Sequence, residues 1–258
     1  MLDVRDLSAW IGGSHILQGV TFEVAGTGVT ALLGRNGVGK TSTLRAILGE
    51  LPATGSVTFD GEPVLGRSTH RLVRAGLGYV PEDRGVFGGL SVAENLRLAC
   101  RVPDPDYDTV YALFPELQRR RRQRAGTLSG GQQQMVAIGR LLLNPNRLLL
   151  VDEPTKGLAP KVVAEVAAVL AEVAQRVPIL LVEQNLAVVR RLAGRAVVLA
   201  AGRVAWQGGV ADLLGDAERT RSLLGVGSSG HDEASGHDEA SGHGEPESAA
   251  GRSKGGRL

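Results

Sequence analysis

The chain has 258 residues, 43% of them hydrophobic and 22% charged, with a formal net charge of +2, enough for one large α/β domain or two modest ones around an ordinary core. No apolar run approaches the ~20 residues of a membrane helix, and Met1–Trp10 lacks the basic and apolar regions of a signal peptide, so the expectation is a chain with neither leader nor span, for which any membrane role must be borrowed from a partner. Cys100 is the single cysteine, which excludes a disulfide framework and multi-cysteine metal sites.

Leu2–Leu7 and Val20–Val24 read as strands separated by glycine-containing turns, and Ser56–Phe59 joins them in an antiparallel portion. Val29–Leu33 reads as a buried strand. It runs into Gly34-Arg35-Asn36-Gly37-Val38-Gly39-Lys40-Thr41, a complete G-x-x-x-x-G-K-[ST] phosphate loop, after which Thr43–Leu48 carries the apolar spacing of a helix. This strand-loop-helix context points to a nucleoside triphosphate. The glycines let backbone N–H groups close in on the phosphates, and Lys40 neutralises the β and γ oxygens. The Thr41 hydroxyl is suited to Mg²⁺ and Ser42 to the α-phosphate, while the helix N-terminus adds partial positive charge.

From Val92 to Leu143 the pattern is mostly helical, with interruptions at Pro103, Pro105 and Pro115. A helical subdomain over about 85–145, set on a doubly wound sheet, is the expected arrangement. Arg119, Arg120, Arg121, Arg122 and Arg124 form a basic run inside it. No aromatic residues interleave with them, so the run reads as a solvated helix face rather than a nucleic-acid surface. Leu128-Ser129-Gly130-Gly131-Gln132 follows, and its serine and glycines open a helix whose free N–H groups can face a phosphate. Leu148–Val151 is an apolar strand ending in Asp152 and Glu153. Asp152 is placed to hold Mg²⁺ through water, and Glu153 to polarise an attacking water. Val162, Val163, Val166, Val169, Leu170 and Val173 lie at helical spacing before a second buried run, Ile179–Val182, which makes a strand-helix-strand unit.

A nucleotide-binding domain over 1–226 is expected, followed by different material. From Gly227 onward there are six acidic and three basic residues and too few apolar ones to fold, so a disordered low-complexity tail is expected. Three six-residue units there repeat His231, His237 and His243 beside acids, a pattern with weak affinity for Ni²⁺ or Zn²⁺.

With the phosphate loop before it and the Asp152-Glu153 strand after it, Leu128–Gln132 resembles the signature of ATP-binding cassette ATPases, and the similarity in motif order extends over roughly residues 1 to 225. The resemblance implies a phosphate-loop NTPase core carrying an antiparallel β subdomain and a helical subdomain. It further implies that two chains pack head to tail around two ATP molecules. Each ATP then lies between one phosphate loop and the partner's copy of Ser129, Gly130, Gly131 and Gln132. Four stretches resemble the ATPase subunits of branched-chain amino acid importers, the LivF-like group, with urea and amide importer ATPases as near relatives. They are Gly78–Arg84 with Phe87 following, Leu113–Leu117, Gly157–Pro160 and Leu181–Asn185.

Within that group Glu82 stands where most cassettes have a glutamine that touches Mg²⁺, and is expected to reach the metal through water. Gln184 takes the place of the usual switch histidine at the γ-phosphate, and Ala159 that of an aspartate. Glutamine donates a hydrogen bond but carries no proton as histidine does, so activation of water falls to Glu153. Ile11 occupies the position of the adenine-stacking tyrosine, with Trp10 beside it; Trp10 either stacks on adenine or is a core or edge residue. The implied partners are membrane permease subunits, a second cassette ATPase in a homo- or heterodimer and, indirectly, a periplasmic or lipid-anchored solute-binding protein. The chain would then be cytoplasmic and peripheral on the inner face of the membrane. One rival is a soluble cassette acting on ribosomes or DNA, against which stand the single motif set and the lack of sustained heptads. A slow regulatory nucleotide binder is the other, suggested by Gln184 and Ala159.

Overall fold

The computed structural model describes residues 1–225. Strand β1 (Leu2–Ile11) and β2 (Ser14–Val24) form a hairpin; β3 (Val29–Leu33) leads through the phosphate loop into α1 (Lys40–Ile47). Next come β4 (Ala53–Phe59), the short β5 (Glu62–Pro63), α2 (Thr69–Arg74) and β6 (Leu77–Val80). A helical stretch follows: α3 (Val92–Ala99), α4 (Tyr107–Leu113), α5 (Pro115–Arg119) and α6 (Gly130–Leu142). The chain then alternates through β7 (Leu148–Asp152), α7 (Pro160–Val173), β8 (Ile179–Val182), α8 (Leu186–Leu192) and β9 (Arg195–Ala200). It ends in β10 (Arg203–Gly209), α9 (Val210–Gly215) and α10 (Ala217–Leu224).

Two sheets result. The smaller is antiparallel, in the order β2-β1-β4-β5, and the larger runs β10-β9-β3-β8-β7-β6 with only β10 antiparallel to its neighbour. Every residue of β3, β7 and β8 is buried. Their alternate side chains feed two cores: Val29, Ala31, Leu149, Val151, Ile179 and Leu181 pack with the helical stretch and α7, whereas Leu32, Leu148, Leu150, Leu180 and Val182 pack with α1 and the antiparallel sheet. A strand covered on both faces must be apolar at every position, which is why these runs show no alternation. β2, exposed on one face, does alternate along its second half.

The α/β architecture bears out the expected fold, and the differences are local. α1 starts three residues earlier than its apolar spacing suggests, because the phosphate loop itself turns into the helix at Lys40. Pro115 opens α5 at a position where its missing N–H costs nothing. The arginine run is not a helix face: α5 ends at Arg119, and Arg120 to Arg124 lie in the turn beyond it. Arg119 and Arg120 both pair with Glu116, at 2.7 and 2.5 Å. Among the described residues no helix is long and apolar enough to cross a membrane. The histidine repeats and the expected tail lie outside the described residues.

Candidate functional site

Register brings the site together. Leu32, Val182 and Asp152 stand side by side across β3, β8 and β7, and Val80 of β6 pairs with Val151. The residues that follow these strand ends are therefore neighbours: Gly34, Glu183, Glu153 and, one position beyond Pro81, Glu82. The carboxyl ends of parallel strands are where doubly wound sheets bind ligands.

The loop from Gly34 to Gly39 joins β3 to α1 with a backbone that needs glycine at two places. Gly34 has φ 142°, and a Cβ there would sit 2.4 Å from the Leu199 carbonyl oxygen; at Gly39, φ 107°, it would sit 2.6 Å from Leu17 Cδ2. Only glycine tolerates both the angle and the approach. Arg35, Asn36 and Gly37 are exposed, Val38 is half-buried, and Lys40 is 5% exposed. The Lys40 ammonium donates to the carbonyls of Gly34 and Arg35 at 2.9 and 3.0 Å, curling back over the loop. Burial pulls it below the usual lysine range, and the Glu153 and Asp152 carboxylates draw it back up. On the first turn of α1, Thr41 and Ser42 are both half-buried.

Asp152 is fully buried, and neither of its carboxylate oxygens has a hydrogen-bond partner. Burial pushes its pKa up to about 6, with the adjacent Thr41 hydroxyl pulling down and the Glu153 and Glu82 charges pushing further up. A buried, unsatisfied carboxylate beside a hydroxyl and a second carboxylate is a hard-oxygen donor set that fits a divalent cation.

The sign of this shift gives a test. Because the folded carboxyl titrates above its ordinary 3.8, the folded state keeps a proton that the unfolded chain has lost between about pH 4 and 6. The group therefore favours folding at low pH and loses that contribution as pH rises, by about 3 kcal/mol. Asp152→Asn is expected to raise the melting temperature of the nucleotide-free protein by roughly 5–10 °C at pH 7.5, with the gain shrinking below about pH 6. Thermal scans across pH check it, and a lower melting temperature at pH 7.5 contradicts it.

Glu153 is 8% exposed and held at φ 44°, a left-handed conformation uncommon for a non-glycine residue. Its carboxylate accepts a hydrogen bond from Gln184 Nε2 and lies 3.9 Å from Lys40 Nζ; its other oxygen lies 3.3 Å from Lys156 Nζ. Glu82 is exposed and also pairs with Lys156, at 2.6 Å. Those two ion pairs raise the Lys156 pKa, that with Glu82 first. The structure thus gathers Lys40, Thr41, Asp152, Glu153, Gln184 and Glu82 and adds one residue that sequence reasoning passed over. Lys156 has a signal in hindsight: it is the cation three residues past Glu153, among acids.

The signature lies elsewhere on the surface. Ser129 caps α6 through a reciprocal box with Gln132, each side chain bonding the other's backbone N–H, at 3.3 and 3.0 Å. Gly131 packs against α7 so closely that a Cβ would meet Val162 Cγ1 at 2.3 Å, while Gly130 faces the Arg84 guanidinium. Ser129, Gly131 and Gln132 line a cavity with Glu116, Lys161 and Glu165, whereas Gly34, Arg35, Asn36 and Gln184 line a different one. Among the described residues these two cavities share no lining residue. Trp10 stacks on His15 across the β1–β2 hairpin, centroids 4.7 Å apart and planes 7° from parallel. Neither ring lines the cavity beside the phosphate loop.

A phosphate loop between β3 and α1, a buried aspartate on β7 and a glutamate beside it define a nucleoside-triphosphate-binding ATPase. The profile of the ABC transporter family matches residues 17–156, and the chain belongs to that family; it binds ATP. It is 38% identical over 232 residues to the high-affinity branched-chain amino acid transport ATP-binding protein BraG of Pseudomonas aeruginosa, covering 87% of this chain and 100% of that one. It is 32% identical over 234 residues to a probable branched-chain amino acid transport ATP-binding protein, LivF, of Archaeoglobus fulgidus, covering 88% and 99%. Among solved structures, a nucleotide-free ATP-binding cassette from an ABC transporter shares the fold with a TM-score of 0.75 at 23% identity, over 88% of this chain and 99% of that one. An ATP-binding subunit of an ABC transporter aligns with a TM-score of 0.72 at 29% identity, over 88% and 95%.

Proposed function

We propose that this chain is the ATP-hydrolysing subunit of a branched-chain amino acid importer, peripheral on the inner face of the membrane and acting on separate permease subunits. The observation that carries the chemistry is the Glu153 carboxylate, set between Lys40 and Gln184 at the ends of β7, β3 and β8. The similarity to BraG and LivF over nearly their whole length supports the solute class.

In this reading the backbone N–H groups of Gly34 to Lys40, with Arg35, Asn36 and Val38 on the loop, cradle the phosphates, and Ser42 meets the α-phosphate. Thr41 and Asp152, with Glu82 through water, would hold Mg²⁺, which supplies charge neutralisation on the phosphate oxygens. Glu153 accepts the proton of the attacking water, and Gln184 donates to the γ-phosphate. Ser129, Gly130, Gly131 and Gln132 serve the second ATP of a head-to-tail pair. That assignment draws support from their separation from this chain's own phosphate loop. Closure follows when contacts from both chains converge on one γ-phosphate, and hydrolysis removes them. Trp10, already stacked on His15, has one ring face occupied, so adenine would have to stack on the other face of the pair.

The test is purification of the intact complex in detergent and reconstitution into proteoliposomes with its solute-binding protein. Multi-span subunits and a cassette ATPase partner are expected to co-purify, and leucine, isoleucine or valine to be taken up only with ATP. Uptake of urea or a short amide instead would move the solute assignment, and co-purification of ribosomal or DNA-bound material alone would end the importer reading.

A further inference from the structure

We infer that Thr155 and Glu183 form a buried positioning pair that locks the loop carrying Glu153 to the loop carrying Gln184, so that the two side chains facing the γ-phosphate are held as one unit. The inference rests on the roles given to Glu153 and Gln184 above.

Glu183 follows the last residue of β8 and is 3% exposed. Acidic side chains are almost never so buried unless their oxygens are satisfied. Here all the donors are neutral. Glu183 Oε2 accepts from the Thr155 hydroxyl at 2.6 Å, while Oε1 accepts from the backbone N–H groups of Gln184 and Asn185 at 2.7 and 2.9 Å. Thr155, 5% exposed, stands two residues beyond Glu153. One carboxylate therefore ties the loop after β7 to the loop after β8.

The two loops are linked at two further points, where the Glu153 N–H donates to the Val182 carbonyl at 2.9 Å and Gln184 Nε2 donates to the Glu153 carboxylate. With the N–H groups of residues 184 and 185 both bound to one oxygen, the backbone around Gln184 is anchored. Asn185 in turn caps α8 by accepting from the N–H groups of Ala187 and Val188, so the same anchor sets where that helix starts. Gln184 itself is exposed, and without the anchor its side chain is tethered only by its bond to Glu153. Glu183 borders the cavity beside the phosphate loop, but both of its oxygens are taken by Thr155, Gln184 and Asn185, so the pair acts through its neighbours. Small displacements of groups at a reacting centre are costly, on the order of 100-fold for about 1 Å.

Thr155→Val keeps the shape and removes the hydroxyl, leaving one buried carboxylate oxygen unsatisfied; Thr155→Ser restores the hydroxyl. In steady-state and single-turnover ATPase assays on the full chain, Thr155→Val is expected to lower kcat roughly 10- to 100-fold while KM and ATP affinity stay within about 2-fold, since the phosphate loop is untouched. Thr155→Ser is expected to recover most of the rate. Glu183→Gln offers the same readout if the valine variant does not fold, because its amide oxygen still accepts from the backbone while its NH₂ meets the threonine oxygen; kcat then falls less, with KM again unchanged. An unaltered kcat in Thr155→Val overturns the inference. So does a joint loss of kcat, ATP affinity and thermal stability that serine does not rescue, which is the mark of a purely structural contact. Glu153→Gln, assayed in parallel, separates the two readings: if it retains the parental rate, the role of Glu153 falls and the inference with it, whereas if it is inactive and Thr155→Val keeps the parental kcat, only the pair is refuted.

Discussion

Glutamine in place of Glu153 is expected to lower the rate of ATP hydrolysis about 1000-fold, within the 10²- to 10⁴-fold range of a lost general base, and to leave ATP binding intact. The substitution preserves volume and the strained backbone alike, since glutamine meets the same penalty as glutamate at φ 44°. It also leaves one oxygen to face one of the two lysines, Lys40 and Lys156, which in the parent lie 3.9 and 3.3 Å from different carboxylate oxygens. What disappears is the group able to take a proton from water, and no histidine stands nearby to replace it, because the position that follows β8 is filled by Glu183 and then Gln184. Single-turnover hydrolysis beside equilibrium nucleotide binding measures both halves of the claim. Parental turnover would remove Glu153 from the chemistry.

A methionine at Lys40 is expected to act at the opposite step, weakening ATP binding by roughly 100- to 1000-fold. Each hydrogen bond to a charged group contributes about 1.5–3 kcal/mol, and the ammonium is placed to make more than one with the phosphates. Without nucleotide the ammonium bonds the Gly34 and Arg35 carbonyls at 2.9 and 3.0 Å. These contacts hold it over the loop and must be exchanged for phosphate oxygens. Because burial already disfavours the charge, removing it is expected to cost the folded protein little, so the melting temperature without nucleotide should stay near that of the parent. Titration calorimetry with ATP decides the matter, and an affinity within about 3-fold of the parent would contradict it. Together with Asp152→Asn, these variants separate the roles within the cluster, since one loses the phosphate, one the metal and one the proton acceptor.

What could be read beforehand follows from how locally each feature is encoded. The phosphate loop needs glycine at fixed positions for steric reasons that any sequence displays, and β3, β7 and β8 appear as unbroken apolar runs because both faces are covered. Lys156 is illegible in the sequence because its meaning depends on Glu82, which reaches it across the ends of β6 and β7. Glu183 was hidden for a related reason: a glutamate after an apolar strand looks like a solvated end until Thr155 is seen beside it. Composition reports the charge of the arginines after Arg119 but not where a five-residue helix stops. Trp10 finds His15 only through hairpin pairing, which a pattern of hydrophobicity does not reveal.

The strand order has a consequence for how the molecule is made. β3, which bears the phosphate loop, lies between β8 and β9, and both are synthesised long after it. At ~5–20 residues per second, the ribosome takes on the order of 10 s to travel from Leu33 to Ile179. Throughout that interval the nascent Val29–Leu33 segment has no sheet neighbour to pair with, and its closure is a long-range contact of the slow kind. A truncated chain ending before Ile179 carries every letter of the phosphate-loop motif and still has no place to put a nucleotide.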